Sequence, residues 1–179
     1  MSNPLSASFD RVLIAIDGSR SSQWALFVGE QMAKQLCACV MLVYVVPPEL
    51  LVTDAFELAE RAQAVRKGAG LELLERCRLM LSPKLRVKTR LRLGLPADQI
   101  AAAARDWKAD LIVMGTRGHS PLAQIALGST ARAVMSQAPC PVITVAHEPD
   151  SAQAEKEEWV GVGADCMDPI SAHAEPARD

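Results

Sequence analysis

Three short stretches of this 179-residue chain carry residue types that hold anions: Asp17-Gly18-Ser19, Gly115-Thr116-Arg117-Gly118 and Gly128-Ser129-Thr130. The last two fall in the spacing G-x2-G-x9-G-S. Glycine at 115 and 118 allows positive φ and close backbone approach to a ligand. A helix opening at Gly128, Ser129 and Thr130 points its first N–H groups outward, where an anion can accept them. The hydroxyls can donate to phosphate oxygens, and Arg117 can add charge. The helix dipole contributes only ~0.3–1 kcal/mol, or up to ~2 when partly buried. Affinity therefore needs several N–H donors and the burial of a base. That is the chemistry of a polyphosphate ligand.

Taken singly, each residue has a plainer reading. Gly18 and Gly115 suit turns, Asp17 suits a helix N-cap, and Met114 and Val45 suit any buried strand. The joint spacing favours the nucleotide. His119 could touch phosphate or move a proton, or be a solvated loop histidine. There is no G-x4-G-K-S/T, so a P-loop enzyme is excluded. His-x-Gly-His and Ser-Gly-Gly-x-Asp-Ser phosphate motifs are also absent.

These stretches must be positioned by regular elements. Arg11 to Ile16, Cys39 to Val46, Asp110 to Met114 and Pro141 to Ala146 are short continuous apolar runs, the pattern of strands buried on both faces. Helical spacing fills Ser21 to Leu36, with Ser19, Ser21 or Ser22 as cap. It also fills Gly94 to Trp107, with Pro96 near the start, and the stretch from Gly128 to before Pro139. Thr53 to Met80 is a broken helical stripe capped by Thr53 or Asp54, and Gly68 and Gly70 predict two helices or a kink. Leu85 to Leu93 alternates apolar residues with Arg86, Lys88, Arg90 and Arg92, the period of an edge strand. Its charges either guard the edge or hold an anion. The order β-α-β-α-β-α-β-α-β predicts an α/β fold: an open parallel sheet with helices on both faces. Such a sheet binds ligands at its strands' carboxyl ends, at the switch point.

Composition sets further bounds. Aromatic residues are only 4%, so the core is aliphatic, and the net charge is −2. That total hides two regions. Residues 1–147 carry 17 basic and 12 acidic side chains, while residues 148–179 carry 2 and 9. Residues 9–147 are expected to form the domain, 1–8 a flexible start, and 148–179 a flexible acidic tail. Five cysteines, an odd number without an export signal, predict reduced cytoplasmic thiols. No zinc spacing or apolar run of ~18 residues occurs. The basic strand lacks aromatic neighbours for base stacking, so nucleic acid is not an expected partner.

The chain resembles the universal stress protein family, in its ATP-binding subgroup. The resemblance rests on Val12 to Ser19, on Asp110 to Gly118, on Gly128 and Ser129, and on Ala138 to Val142, and it covers residues 9–147. It implies a Rossmann-like sheet of the adenine nucleotide alpha hydrolase-like kind, in strand order 3-2-1-4-5. It implies ATP as ligand, with Ala15 and Val45 flanking adenine and Met114 packing on the base. Gly115 would lie near the ribose. Asp17 would sit by the ribose or help hold Mg²⁺ on the phosphates. Gly118, Gly128, Ser129 and Thr130 would cradle the phosphates. A homodimer through Pro141 to Ala146 is also implied.

Three functions fit. The first is a regulatory ATP-binding protein in stress response, since a cradle is present without an evident general base. The second is a slow ATPase or self-phosphorylating enzyme using Asp17 with Mg²⁺ and Ser129 or Thr130 as acceptor. The third is a nucleotide-independent interaction module.

Overall fold

The computed structural model describes residues 8–48, 56–116 and 127–146. Arg117, Gly118 and His119, the caps Thr53 and Asp54, residues 1–7 and segment 148–179 lie outside these residues.

Five parallel strands form one sheet in the order β3-β2-β1-β4-β5. They are β1 (Arg11–Ala15), β2 (Cys39–Val46), β3 (Val87–Leu93), β4 (Leu111–Gly115) and β5 (Val142–Val145). The helices between them are α1 (Arg20–Leu36), α2 (Phe56–Met80), α3 (Pro96–Trp107) and α4 (Ser129–Gln137). The continuous apolar runs are central strands: Val12, Leu13 and Ile14 of β1 are each 0% exposed. Successive side chains alternate between faces. Val12, Ile14, Val40, Leu42 and Val113 pack with Ala25 and Leu26 of α1 and Leu74 and Cys77 of α2. Leu13, Met41, Val43, Ile112 and Met114 pack with Ile100 and Ala104 of α3 and Val134 of α4.

Several local expectations are corrected. α2 is one 25-residue helix running through both glycines. A Cβ at Gly70 would stand 2.5 Å from the Tyr44 ring, so this glycine admits the ring rather than breaking the helix. β3 starts at Val87, because Leu85 still closes a turn onto the Ser82 carbonyl at 3.0 Å. The split of β3 into two faces is partial. Val87 and Leu91 pack on the core, while Lys88 and Arg90 are exposed. Arg92, however, has a side chain only 20% exposed and pairs with Asp106 of α3. Leu93 is 42% exposed.

Among the described residues no helix is long and apolar enough to cross a membrane. Four cysteines are described and all are free. Burial pushes the Cys77 and Cys140 thiols up from their ordinary range, with Asp110 adding to the effect at Cys140. Neither is an activated nucleophile.

Candidate functional site

β1 pairs with β2 on one side and with β4 on the other, so strand order reverses between β1 and β4. Connections leave the carboxyl ends of these two strands in opposite directions and open a crevice. A cleft of about 240 Å³ lies there. Ala15, Asp17, Val45, Met114, Gly115, Gly128, Ser129 and Thr130 all line it. The structure thus brings together every sequence-derived site residue that it describes. Arg117 and Gly118 fall outside the described residues.

The turn after β1 is built by hydrogen bonds. Gly18 takes φ 85°, a left-handed conformation that glycine adopts without steric cost. Asp17 is not the N-cap. Its Oδ1 accepts from the Ser19 N–H at 2.9 Å and from the Ser19 hydroxyl at 2.6 Å. Ser19 is the cap, and its Oγ accepts from the Ser22 N–H at 3.2 Å. Such a cap contributes about 0.5–2 kcal/mol. Ser22 Oγ in turn donates to the Ser19 carbonyl at 3.0 Å. Asp17 therefore fixes the cap that fixes α1, while its side chain borders the cleft.

Gly115 also differs from expectation. Its φ is not positive; among the described glycines only Gly18 and Gly94 have that geometry. The close approach seen in the structure is that of α1. A Cβ at 115 would stand 2.5 Å from Ser21 Oγ and 2.8 Å from the Ser21 carbonyl carbon. Gly115 lets the start of α1 lie directly on the end of β4.

Gly128 caps α4 with φ −65° and no side-chain hydrogen bond, and the first turn holds no acidic residue. Its own N–H donates to the Thr116 carbonyl at 2.7 Å. The next residues, Ser129, Thr130 and Ala131, line the cleft. Their N–H groups are the ones a helix leaves without an internal partner. One end of the cleft therefore offers donors, and Ala15, Val45 and Met114 offer an apolar surface.

Seven further lining residues were given no site role of their own by the sequence: Ile16, Ser22, Val43, Pro96, Ile100, Thr116 and Ala131. Thr116 and Ala131 adjoin motif residues, so adjacency was an available signal. Pro96 and Ile100 reach the cleft only because α3 packs beside β2, which no local pattern encodes. Asp17 is the one carboxylate among the described lining residues. Mg²⁺ commonly takes one or two carboxylates along with substrate phosphates. Asp17 fits such a role beside a bound phosphate. No cluster of three metal-ligating side chains exists among the described residues.

The universal stress protein family model matches residues 8–146. A universal stress protein of Thermus aquaticus is 37% identical over 144 residues, covering 76% of this chain and 98% of that protein. The solved structure of universal stress protein UspA from Lactobacillus plantarum is 27% identical with a TM-score of 0.63, covering 76% of this chain and 97% of that one. A universal stress protein solved in complex with cAMP shares the fold at a TM-score of 0.59 and 24% identity, covering 77% of this chain and 97% of that one.

Proposed function

The chain belongs to the universal stress protein family, and from that premise we propose that it is a cytoplasmic, regulatory ATP-binding protein of stress response. The observation that carries this reading is a convergence. A helix N-terminus without a side-chain cap bond and an apolar surface line one cleft, at the crevice where open parallel sheets bind ligands. Adenine would lie against Ala15, Val45 and Met114, and the phosphates at Gly128, Ser129 and Thr130. Arg117 and Gly118 would join them from the adjoining segment. Mg²⁺, if it enters, would come with the phosphates and meet Asp17. That a relative of this fold was solved with cAMP agrees with an adenine nucleotide in this architecture.

Binding rather than turnover is favoured because Asp17, whose Oδ1 already accepts two hydrogen bonds, is the one titratable side chain among the described lining residues. It is poorly placed to serve as a general base. The test is to denature the purified protein and identify any released nucleotide, then to titrate ATP by calorimetry. Released adenine nucleotide, with ATP binding lost in Gly128→Val, is the expected result. No released nucleotide and no thermal shift at millimolar ATP would leave only an interaction module. Release of γ-labelled phosphate above the Gly128→Val control would make it an enzyme.

The same premise supports a homodimer through Pro141 to Ala146. β5 is an edge strand whose four half-buried residues are uncharged. Sedimentation at micromolar concentration should give twice the chain mass, and a monomer would overturn the pairing.

A further inference from the structure

The cations of β3 have no part in the nucleotide cleft, and no residue of this strand is among its described lining residues. The sheet register gives them a face. Lys88 lies opposite Met41 and Arg90 opposite Val43, and directly paired residues project to the same side of a sheet. Met41 and Val43 pack toward α3. Lys88 and Arg90 therefore project on the α3 side, where Arg92, two residues on, is engaged by Asp106. Arg86, Lys88 and Arg90 are exposed and make no ion pair among the described residues. Successive members of the row stand ~6.5–7 Å apart along the strand. That is within one Debye length at physiological ionic strength, ~8 Å. Like charges so close repel one another. Acidic groups set opposite the row relieve that repulsion as well as adding an attraction.

The main chain of the same strand supplies a second observation. The Arg86 carbonyl accepts from the Val40 N–H at 2.9 Å, and the Gly94 N–H donates to the Val46 carbonyl at 3.0 Å. Both ends of β3 thus turn the main-chain groups of even-numbered residues toward β2. Main-chain groups alternate in direction along a strand, so Val87, Thr89, Leu91 and Leu93 turn theirs away from the sheet. β3 ends the strand order, and no described strand pairs with that side. A row of N–H and C=O groups at a sheet edge is a template for one more strand.

We propose that the outer edge of β3 docks an acidic, extended segment of a partner protein, which adds to the sheet as a further strand and sets carboxylates at alternate positions against Lys88 and Arg90. The edge fixes the partner's main chain, and the cations fix which of its residues are acidic. A nucleic acid would meet the cations but leave the outward N–H and C=O groups unused. A second copy of β3 would set cation against cation. The inference is independent of the nucleotide reading and stands or falls apart from it.

The test uses the full chain and a labelled peptide of about eight residues in which glutamate and threonine alternate. Its isomer with the glutamates grouped at one end and an oligothymidine of equal charge are the comparison probes. Fluorescence anisotropy is read at an ionic strength of about 0.05 M, where screening is weaker. The alternating peptide should bind at least about fivefold more tightly than the grouped isomer. Lys88→Gln with Arg90→Gln should weaken it about fivefold to thirtyfold. The same loss of charge on α2, Arg61→Gln with Arg76→Gln, should change it by less than about twofold. Amide exchange followed by NMR adds a readout that charge alone would not move. Bound peptide should slow exchange at Val87, Thr89 and Leu91, and leave Lys88 and Arg90, already bonded to β2, as they were.

Five results would overturn the inference and leave nucleotide binding intact. The grouped isomer binds as tightly as the alternating peptide. The oligothymidine binds more tightly than either, which would make the row a nucleic-acid track. The outward amides stay unprotected, so that charge alone holds the peptide. The β3 variant binds like the parent. No probe binds at all. Only the fourth needs a variant, so a poorly folding one does not stall the test.

Discussion

Gly115→Ala is expected to lower stability by roughly 1–3 kcal/mol and to weaken nucleotide binding by about tenfold or more. The added Cβ would stand 2.8 Å from the Ser21 carbonyl carbon and 2.9 Å from Ser21 Cβ. Neither is the loose end of a side chain. Relief requires the first turn of α1 to lift from β4. That turn is where Asp17, Ser19 and Ser22 are joined by hydrogen bonds, so lifting it moves the cleft wall. Urea unfolding checks the first effect and calorimetry with ATP the second. An unchanged midpoint would mean that α1 yields without cost. An unchanged affinity would mean that ligand contact does not depend on this wall.

Gly29→Ala should produce a comparable loss of stability by another route, without touching the cleft. A Cβ there would meet Ile14 Cδ1 at 2.5 Å and Cγ1 at 2.8 Å, and Ile14 is 0% exposed in the centre of β1. The side chain has nowhere to turn in a packed core, so a cost of about 1–3 kcal/mol is expected. Ile14→Val removes Cδ1 and alone should cost about 0.5–1.5 kcal/mol. In the double variant the two changes make room for each other. The combined loss should fall short of additivity by about 0.5 kcal/mol or more. Strict additivity in urea unfolding would show that α1 and β1 do not press on each other at this point. Nucleotide affinity should be unchanged in both single variants, which separates this contact from that at Gly115.

Much of the architecture was legible because it depends on local chemistry. The continuous runs Val12 to Ile14 and Leu111 to Met114 announced central parallel strands, and the alternation of Val87 to Leu93 announced an edge. Pro96 and the serines around 19 announced helix starts, since proline and capping hydroxyls act within one turn. The glycines were read less well. Gly70 reads as a helix breaker and Gly115 as a turn of positive φ, yet each makes space for a neighbour distant in sequence, Tyr44 and Ser21. A missing side chain does not indicate what occupies the vacated volume. The pairing of Arg92 with Asp106 and the arrival of Pro96 and Ile100 at the cleft had the same cause. They arise from how α3 lies across the sheet. For Asp17 the plainer reading, a helix N-cap, gives way: it supports the cap, and the cap is Ser19, one of the three serines expected there.

The two edges of the sheet have opposite character, and this bears on how far an assembly could grow. β5 presents Val-Ile-Thr-Val without a charge, while β3 exposes Lys88 and Arg90. Sheets extend by edge-to-edge addition, and like charges brought together at an edge oppose it. Two copies joined at β5 would turn both cationic β3 edges outward. Further copies would meet only those repelling edges. Growth would then stop after a single step, giving a closed pair rather than an open fibre.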